Sequence, residues 1–173
     1  STAVRLNADP GSTVTVIVTN NGAINITGGN AQRINVGNAN LADGTNHFIL
    51  NGGSVTIEGS LSASANGMFV AGGQGTVGIL DINDGTIDMS DRNGTSSLSV
   101  LRIGNAVGSR GVVNLNPNGR LLVPRIDRVD GHAIFNFNGC YLETTAARSD
   151  LFGSVDEVNI LAGGAIIDTG ARV

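Results

Sequence analysis

Tryptophan and lysine are missing from this chain altogether, and cysteine and tyrosine occur once each, as Cys140 and Tyr141. Five phenylalanines are the only other aromatic residues, so any core must be built mainly from Val, Ile, Leu and Ala. A lone cysteine excludes an internal disulfide framework and leaves the redox compartment open. All the basic residues are arginine, the net charge is −4, and no basic run occurs; that excludes a surface built to grip a phosphate backbone, so nucleic acid is not an expected partner. No apolar run is long enough for a membrane span, and no charged-then-apolar leader is present. Ser1 accordingly reads as a mature N-terminus or an arbitrary boundary, and a leader already removed would leave secretion open. Helical periodicity is absent too. The best window, residues 143–155, mixes Thr, Ala, Arg, Ser and Gly with few aligned apolar positions.

What the chain does have is a period of two. Val14, Val16 and Val18 alternate with Thr15 and Ile17, and Ile24 and Ile26 flank Asn25. The pattern returns at Phe48/Leu50, Val55/Ile57, Leu80/Ile82, Ile87/Met89, Val113/Leu115, Leu121/Val123, Phe135/Phe137 and Val158/Ile160. Each pair is short and bounded by Gly or Asn, as half-buried strands are. With 26 glycines and abundant Asn, the composition reads as a chain that turns often.

These strands repeat as a unit. A strand–turn–strand anchor falls at Gly22, Gly53, Gly85 and Gly119, then at Cys140 beside Gly139, and at Gly164. A second landmark precedes it: Ile34-Asn-Val36-Gly37, Met68-Phe-Val70-Ala71 and Leu101-Arg-Ile103-Gly104, with Val4-Arg-Leu6-Asn7 as a frayed copy. Both landmarks return about every 33 residues as far as Gly119, and the last two anchors follow at shorter steps of 21 and 24; such a return is the mark of a repeat architecture whose single unit cannot bury its own faces. The expected fold is all-β: a right-handed parallel β-helix, or β-solenoid, of about five to six turns and roughly 25 Å in length at about 4.8 Å per turn. The whole chain is expected to be one domain. Within it, residues 1–33 form an irregular N-terminal segment or a donated strand, residues 34–133 three repeats, and residues 134–173 shorter terminal turns that lose one arm. An antiparallel sandwich is the competing fold, because Asn21-Gly22 and Asn118-Gly119 are hairpin signals. Hairpins explain the turns but not the return of a whole 33-residue pattern.

Several phrases carry a resemblance: Gly-Thr-Val-Gly-Ile-Leu-Asp-Ile-Asn-Asp-Gly-Thr-Ile (75–87), Gly-Val-Val-Asn-Leu-Asn-Pro-Asn-Gly-Arg-Leu (111–121), Phe-Asn-Phe-Asn-Gly-Cys-Tyr-Leu-Glu-Thr (135–144) and Leu-Ala-Gly-Gly-Ala-Ile-Ile-Asp-Thr (161–169). They resemble the autotransporter-associated β-strand repeat found in surface and secreted proteins of Gram-negative bacteria. That resemblance, over about residues 34–170, implies a parallel β-helical passenger, extracellular or at the cell surface, acting as a stalk or adhesin segment. It carries no catalytic residue across. Cys140 stands where the family usually has a second Gly, and no membrane-barrel translocator follows Val173.

Four groups of residues invite chemistry. Asp81, Asp84 and Asp88 resemble a calcium loop, but Gly85 comes one residue early and no bidentate Glu follows, so turn chemistry explains them better. Arg125, Asp127, Arg128 and Asp130 form the most polar stretch. They offer either cross-strand ion pairs or an arginine grip on an acidic saccharide, the basis of an alternative reading as a polysaccharide-binding or polysaccharide-degrading β-helix. Glycoside hydrolysis wants flanking carboxylates, and sugar clefts usually want aromatic platforms, which this chain lacks. His47 and His132 match neither a zinc pair nor a nucleophile triad and read as turn residues. Cys140 reads as a small buried residue near a corner, with an intermolecular disulfide as the lesser option. Asn25 and Asn93 head glycosylation-type sequons that chance supplies in so Asn- and Thr-rich a chain. An ice-binding face is disfavoured because Thr13, Thr15 and Thr19 are confined to one run. No motif asks for a cofactor. The expected function is structural, without catalysis: a rigid spacer, adhesin segment or fibre subunit held by turn glycines Gly22, Gly53, Gly85, Gly119 and Gly164. Its expected partners are neighbouring turns of a longer chain or other copies, end to end, with a glycan or host surface as the lesser expectation.

Overall fold

The computed structural model describes residues 4–27, 33–38, 43–58, 67–90, 99–146 and 149–169. Among them there is no helix, and so none long and apolar enough to cross a membrane. The first part of the chain supplies β1 (Val4–Leu6), β2 (Thr13–Thr19), β3 (Ala23–Ile26), β4 (Arg33–Val36) and β5 (Thr45–Ile57). The middle supplies β6 (Gly67–Val70), β7 (Val77–Asp88), β8 (Val100–Ile103), β9 (Arg110–Leu115) and β10 (Gly119–Val123). The last part supplies β11 (Ile126–Asp127), β12 (His132–Phe137), β13 (Cys140–Thr144), β14 (Phe152–Gly153), β15 (Glu157–Ile160) and β16 (Ala165–Asp168).

Every pairing among these strands is parallel, and every one joins a strand to its counterpart one repeat on. A six-stranded sheet runs β1-β4-β6-β8-β11-β14. Its register places Ile34 against Met68 and Met68 against Leu101, the landmark positions read from sequence, and Val4 against Ile34 extends it to the frayed copy. A ten-stranded sheet contains the rest. In it the long strands β5 and β7 each span two ladders: β2-β5-β7-β9-β12-β15 on one side of the bend, and β3-β5-β7-β10-β13-β16 on the other. Residues 4–26, expected to be irregular, are therefore in register with the copy that follows, because their own period-two pattern serves as well as the later ones.

The antiparallel alternative fails for a local reason. A two-residue Asn-Gly hairpin needs positive φ at both central residues. Here Asn118 has φ 67° and Gly119 does not share it; near Gly22 the left-handed residue is Asn20, at φ 56°. Both turns bend the chain sideways into the next strand of its own copy instead of reversing it. At the corresponding bends of β5 and β7 the work falls to Gly53 and Gly85, with φ 80° and 93°. A Cβ on Gly85 would lie 2.5 Å from the carbonyl oxygen of Gly53, so both the conformation and the close approach of adjacent copies require glycine. Gly164 repeats the left-handed conformation in the last copy, at φ 78°.

A second corner recurs in phase with the first. In Asp9-Pro-Gly-Ser12, Gly73-Gln-Gly-Thr76 and Ala106-Val-Gly-Ser109 the third residue is a glycine at φ 70°, 69° and 70°. The fourth closes the turn on the first through its backbone N–H, and its hydroxyl donates to the same carbonyl at 2.7, 2.8 and 2.6 Å. Positive φ at the third position is the need of a type II turn, and Pro10 at the second position of the first copy suits it as well. Nothing in the apolar pattern points to this corner.

The core lies between the sheets as vertical columns. One runs Val16, Phe48, Leu80, Val113, Phe135, Val158; another runs Val18, Leu50, Ile82, Leu115, Phe137, Ile160; a third runs Ile24, Val55, Ile87, Leu121, Leu142, Ile167. Interior members of all three are at most 1% exposed. The repeat shortens near the C-terminus: on the outer face of the ladder, the step from Asp81 to its counterpart Asn114 is 33 residues, but the next step, from Asn114 to Asn136, is 22. No arm is lost, contrary to expectation. The connection before the six-stranded sheet contracts to residues 124–125, β11 and β14 shrink to two residues each, and Phe135, Phe137 and Phe152 fill the narrower interior with ring centroids 4.8 to 6.1 Å apart.

Replacing Leu115 by Ala should lower stability by about 2–5 kcal/mol, since the neighbouring copies above and below cannot collapse onto the cavity. The outward Ile17→Ala should change stability by no more than about 0.5 kcal/mol. Equal shifts in denaturant midpoint for the two variants would refute the column assignment.

Candidate functional site

Side chains that face outward from the ten-stranded sheet form two asparagine ladders. Along one, Asn159 Nδ2 donates to Asn136 Oδ1, Asn136 to Asn114 and Asn114 to Asp81, at 3.0, 2.8 and 2.6 Å. His47 Nε2 caps this ladder at Asp81 Oδ2, 2.7 Å away. Two residues along each strand, Asn138, Asn116 and Asn83 donate in the same sense down to Asn51, at 3.4, 2.7 and 2.7 Å, and Gly163 N–H donates to Asn138. Half of the asparagine among the described residues, expected to make turns, is thus in strands. The recurring signal is an acid or amide on each side of one inward apolar residue: Asp81-Ile-Asn83, Asn114-Leu-Asn116, Asn136-Phe-Asn138. Applying the repeat offset to polar positions, 33 residues and then 22, would have found it.

This arrangement also disposes of the acidic trio. Asp81 belongs to the ladder, Asp84 accepts from the N–H of Gly85 at 2.7 Å, and Asp88 accepts from the N–H of Ser90 at 2.9 Å. Each carboxylate has a local task, and they do not converge; no group of three metal-ligating side chains occurs among the described residues. His47 is a strand residue, not the turn residue expected, and so is His132, which opens β12 with Nε2 3.5 Å from Glu157.

The Arg125–Asp130 stretch is brought together only in part. Arg125 reaches Asp127 and Asp150, each at 3.5 Å. Arg128 Nε donates to Ser154 O at 2.7 Å, its Nη1 donates to Gly131 O at 3.0 Å, and Asp156 lies 3.5 Å away. A Cβ on Gly153 would lie 2.5 Å from Arg125 Nη2, so the guanidinium packs closely against Gly153 of the following copy. Asp127 accepts from Arg128 N–H and Asp156 from Ala133 N–H. Asp130 sits apart, exposed in the turn. The two arginines brace loops of successive copies rather than present open forks. Such part-exposed ion pairs each contribute about 0–1 kcal/mol.

Sequence reasoning missed a second polar cluster, across β10, β13 and β16. Arg120 lies over the Tyr141 ring at 4.9 Å and donates to Glu143 at 2.8 Å; the Tyr141 hydroxyl donates to Asp168 at 2.6 Å. These residues occupy neighbouring strands, so only the register reveals them. Asn25 lies outward on β3, while Asn93 falls outside the described residues.

Cys140 and Tyr141 have shifted acidities. Burial pushes the Cys140 thiol up, against smaller opposing backbone hydrogen bonds, so it is held protonated inside the fold. The Tyr141 phenol is also raised, first by its hydrogen bond to Asp168, then by desolvation and by the charges of Asp168 and Glu143, with Arg120 opposing. The shared proton is favourable only while the phenol keeps it, so the contact is intact below the ordinary tyrosine range and is lost as pH rises through the raised value. Spectroscopic titration should therefore find Tyr141 ionising above free tyrosine, and Asp168→Asn should bring it back down; an unchanged midpoint in that variant would remove Asp168 as the cause. Compared with known proteins, the chain matches no family model, no curated protein and no solved structure.

Proposed function

We propose that the chain is a structural module: a right-handed parallel β-helix of five to six turns, without catalysis, serving as an extracellular or cell-surface stalk, adhesin segment or fibre subunit. The observation that carries the reading is that all three ladders advance by one repeat in the same direction, with identical column positions in each copy. Parallel strands joined by crossovers are right-handed in roughly 98% of cases, which favours that hand here. The autotransporter-like phrases at 75–87, 111–121, 135–144 and 161–169 fall on equivalent strands of successive copies, as a repeat family would have them. Their resemblance is also the reason for placing the chain at the cell surface.

A structural role agrees with how the polar groups are spent. The amides, the acidic trio and both arginines of the 125–130 stretch bond to neighbouring copies or to their own turns, and a body braced in this way resists bending and unwinding. The polysaccharide alternative needs Arg125 and Arg128 to release Asp150, Asp156 and Ser154 before they grip a saccharide acid, and that competition disfavours it.

A glycan array combined with assays for sugar-chain cleavage tests the choice. The purified chain should neither bind above background nor release product. Saccharide binding abolished by Arg125→Ala and Arg128→Ala, in variants that keep their denaturation midpoint, would replace the structural reading with the alternative.

A further inference from the structure

The middle of the six-stranded sheet holds a polar cluster that no contact between copies completes. The outward ladder of this sheet runs Arg5, Asn35, Phe69, Arg102 and Asp127. A phenylalanine in an outward position should be open to solvent, yet Phe69 is only 5% exposed. The guanidinium carbons of Arg33 on β4 and Arg102 on β8 lie 5.0 and 5.3 Å from its ring centre. A ring face attracts a cation, but two cations gathered at one ring also repel each other. Strands β4, β6 and β8 are each paired along both edges, so the cluster is built wholly inside the ladder.

The acid in the position to answer Arg102 does not do so. Asp127 is its register partner on β11, but Asp127 Oδ1 lies 3.5 Å from Arg125 and accepts from the N–H of Arg128 at 3.1 Å. Arg120, Arg125 and Arg128 each have a carboxylate; Arg102 has none among the described residues, and its Nε is buried without a hydrogen-bond partner. On the other side of Phe69 stands Asn35, 1% exposed. Its Nδ2 donates to Asn38 Oδ1 at 2.8 Å, while its own Oδ1 is buried and accepts from nothing. A buried donor or acceptor left unpaired costs its full desolvation penalty. One of each, flanking the same ring, calls for a third party that accepts and donates.

We infer that this face binds a small protonated oxyanion, inorganic phosphate, between the guanidinium groups of Arg102 and Arg33, with a phosphate hydroxyl donating to Asn35. The planar fork of a guanidinium matches two oxygens of such an ion and supplies charge-assisted hydrogen bonds. An anion between the two cations also turns their repulsion into attraction. Both arginines are partly exposed, which leaves a small ion a way in. The near-complete burial of Asn35 and Phe69 leaves a polymer nothing to lie on, so an acidic polysaccharide is not the occupant. Protonation chooses among small ions: phosphate keeps at least one hydroxyl near neutral pH, whereas sulfate carries no proton and leaves Asn35 unmet. An ion held by β4 and β8 across β6 spans three successive copies, and binding only the folded chain it stabilises the stack.

Titration calorimetry and thermal denaturation of the purified chain test this, with inorganic phosphate set against sulfate and chloride at matched ionic strength. Phosphate should bind saturably and raise the denaturation midpoint, chloride should do neither, and sulfate should bind about tenfold more weakly for want of the Asn35 hydrogen bond. Arg102→Gln should abolish the phosphate-specific rise, while Arg110→Gln, which removes an exposed arginine of β9, should keep it. Asn35→Ala should bring phosphate and sulfate to equal affinity. Equal effects of all three salts on the native chain, or an undiminished phosphate response in Arg102→Gln, would overturn the inference. Sulfate binding as tightly as phosphate would overturn the role of Asn35 and the choice of phosphate with it. Should Arg102→Gln fail to fold, Arg102→Lys keeps the charge and loses the fork; it should bind phosphate about tenfold more weakly, and native affinity in that variant would be equally fatal.

Discussion

Each strand in this protein depends on a strand one repeat away for both its hydrogen bonds and its apolar cover. A single unit offers inward residues, such as Phe48, Leu50, Val55 and Ile57 along β5, that gain their cover from the copies on either side. Parallel in-register pairing supplies the cover, because it places like position on like position and lets each inward residue sit on its own equivalent. The same constraint explains where the core is complete and where it is not. Interior columns are sealed on both sides, whereas Ile160, the last member of its column among the described residues, stands 66% exposed.

The constraint reaches the outer face as well. In-register stacking brings equivalent polar residues together as surely as apolar ones, and for like charges that would cost stability. The chain avoids the cost by using amides, which donate and accept at once. Each interior Asn of the two ladders (Asn83, Asn114, Asn116, Asn136 and Asn138) gives a hydrogen to the copy before it and takes one from the copy after. Where a charge does enter a ladder, as at Asp81, it accepts from Asn114 on one side and His47 on the other. The Arg125–Asp127–Arg128 group solves the same problem with mixed signs, bonding forward to Asp150, Ser154 and Asp156. Polar groups here bond between copies, which is the physical ground for the structural role proposed.

Much of this was legible without coordinates. The all-β class, the parallel pairing and the register of the landmarks at Ile34, Met68 and Leu101 followed from two signals, alternation and a period near 33, and the inward residues Val55, Ile57, Ile82, Ile87, Leu115 and Leu121 are all fully buried. A period reads well because stacking in register demands the same residue type at the same phase. The candidate sites read less well. His47 gained a partner 34 residues away, and the Arg120–Tyr141–Glu143–Asp168 cluster joins three separate strands. Neither has a local motif.

What the sequence determined by itself, then, was the strand and its face, because a period of two and the placement of Gly and Asn are properties of neighbouring residues. Tertiary structure decided what the outward residues do. Whether Asn makes a turn or a ladder, whether Asn118-Gly119 reverses the chain or merely bends it, and whether Arg128 is open or already held depend on which side chain lies about 4.8 Å away in the next strand. That neighbour is set by register between copies, and no window of adjacent residues contains it.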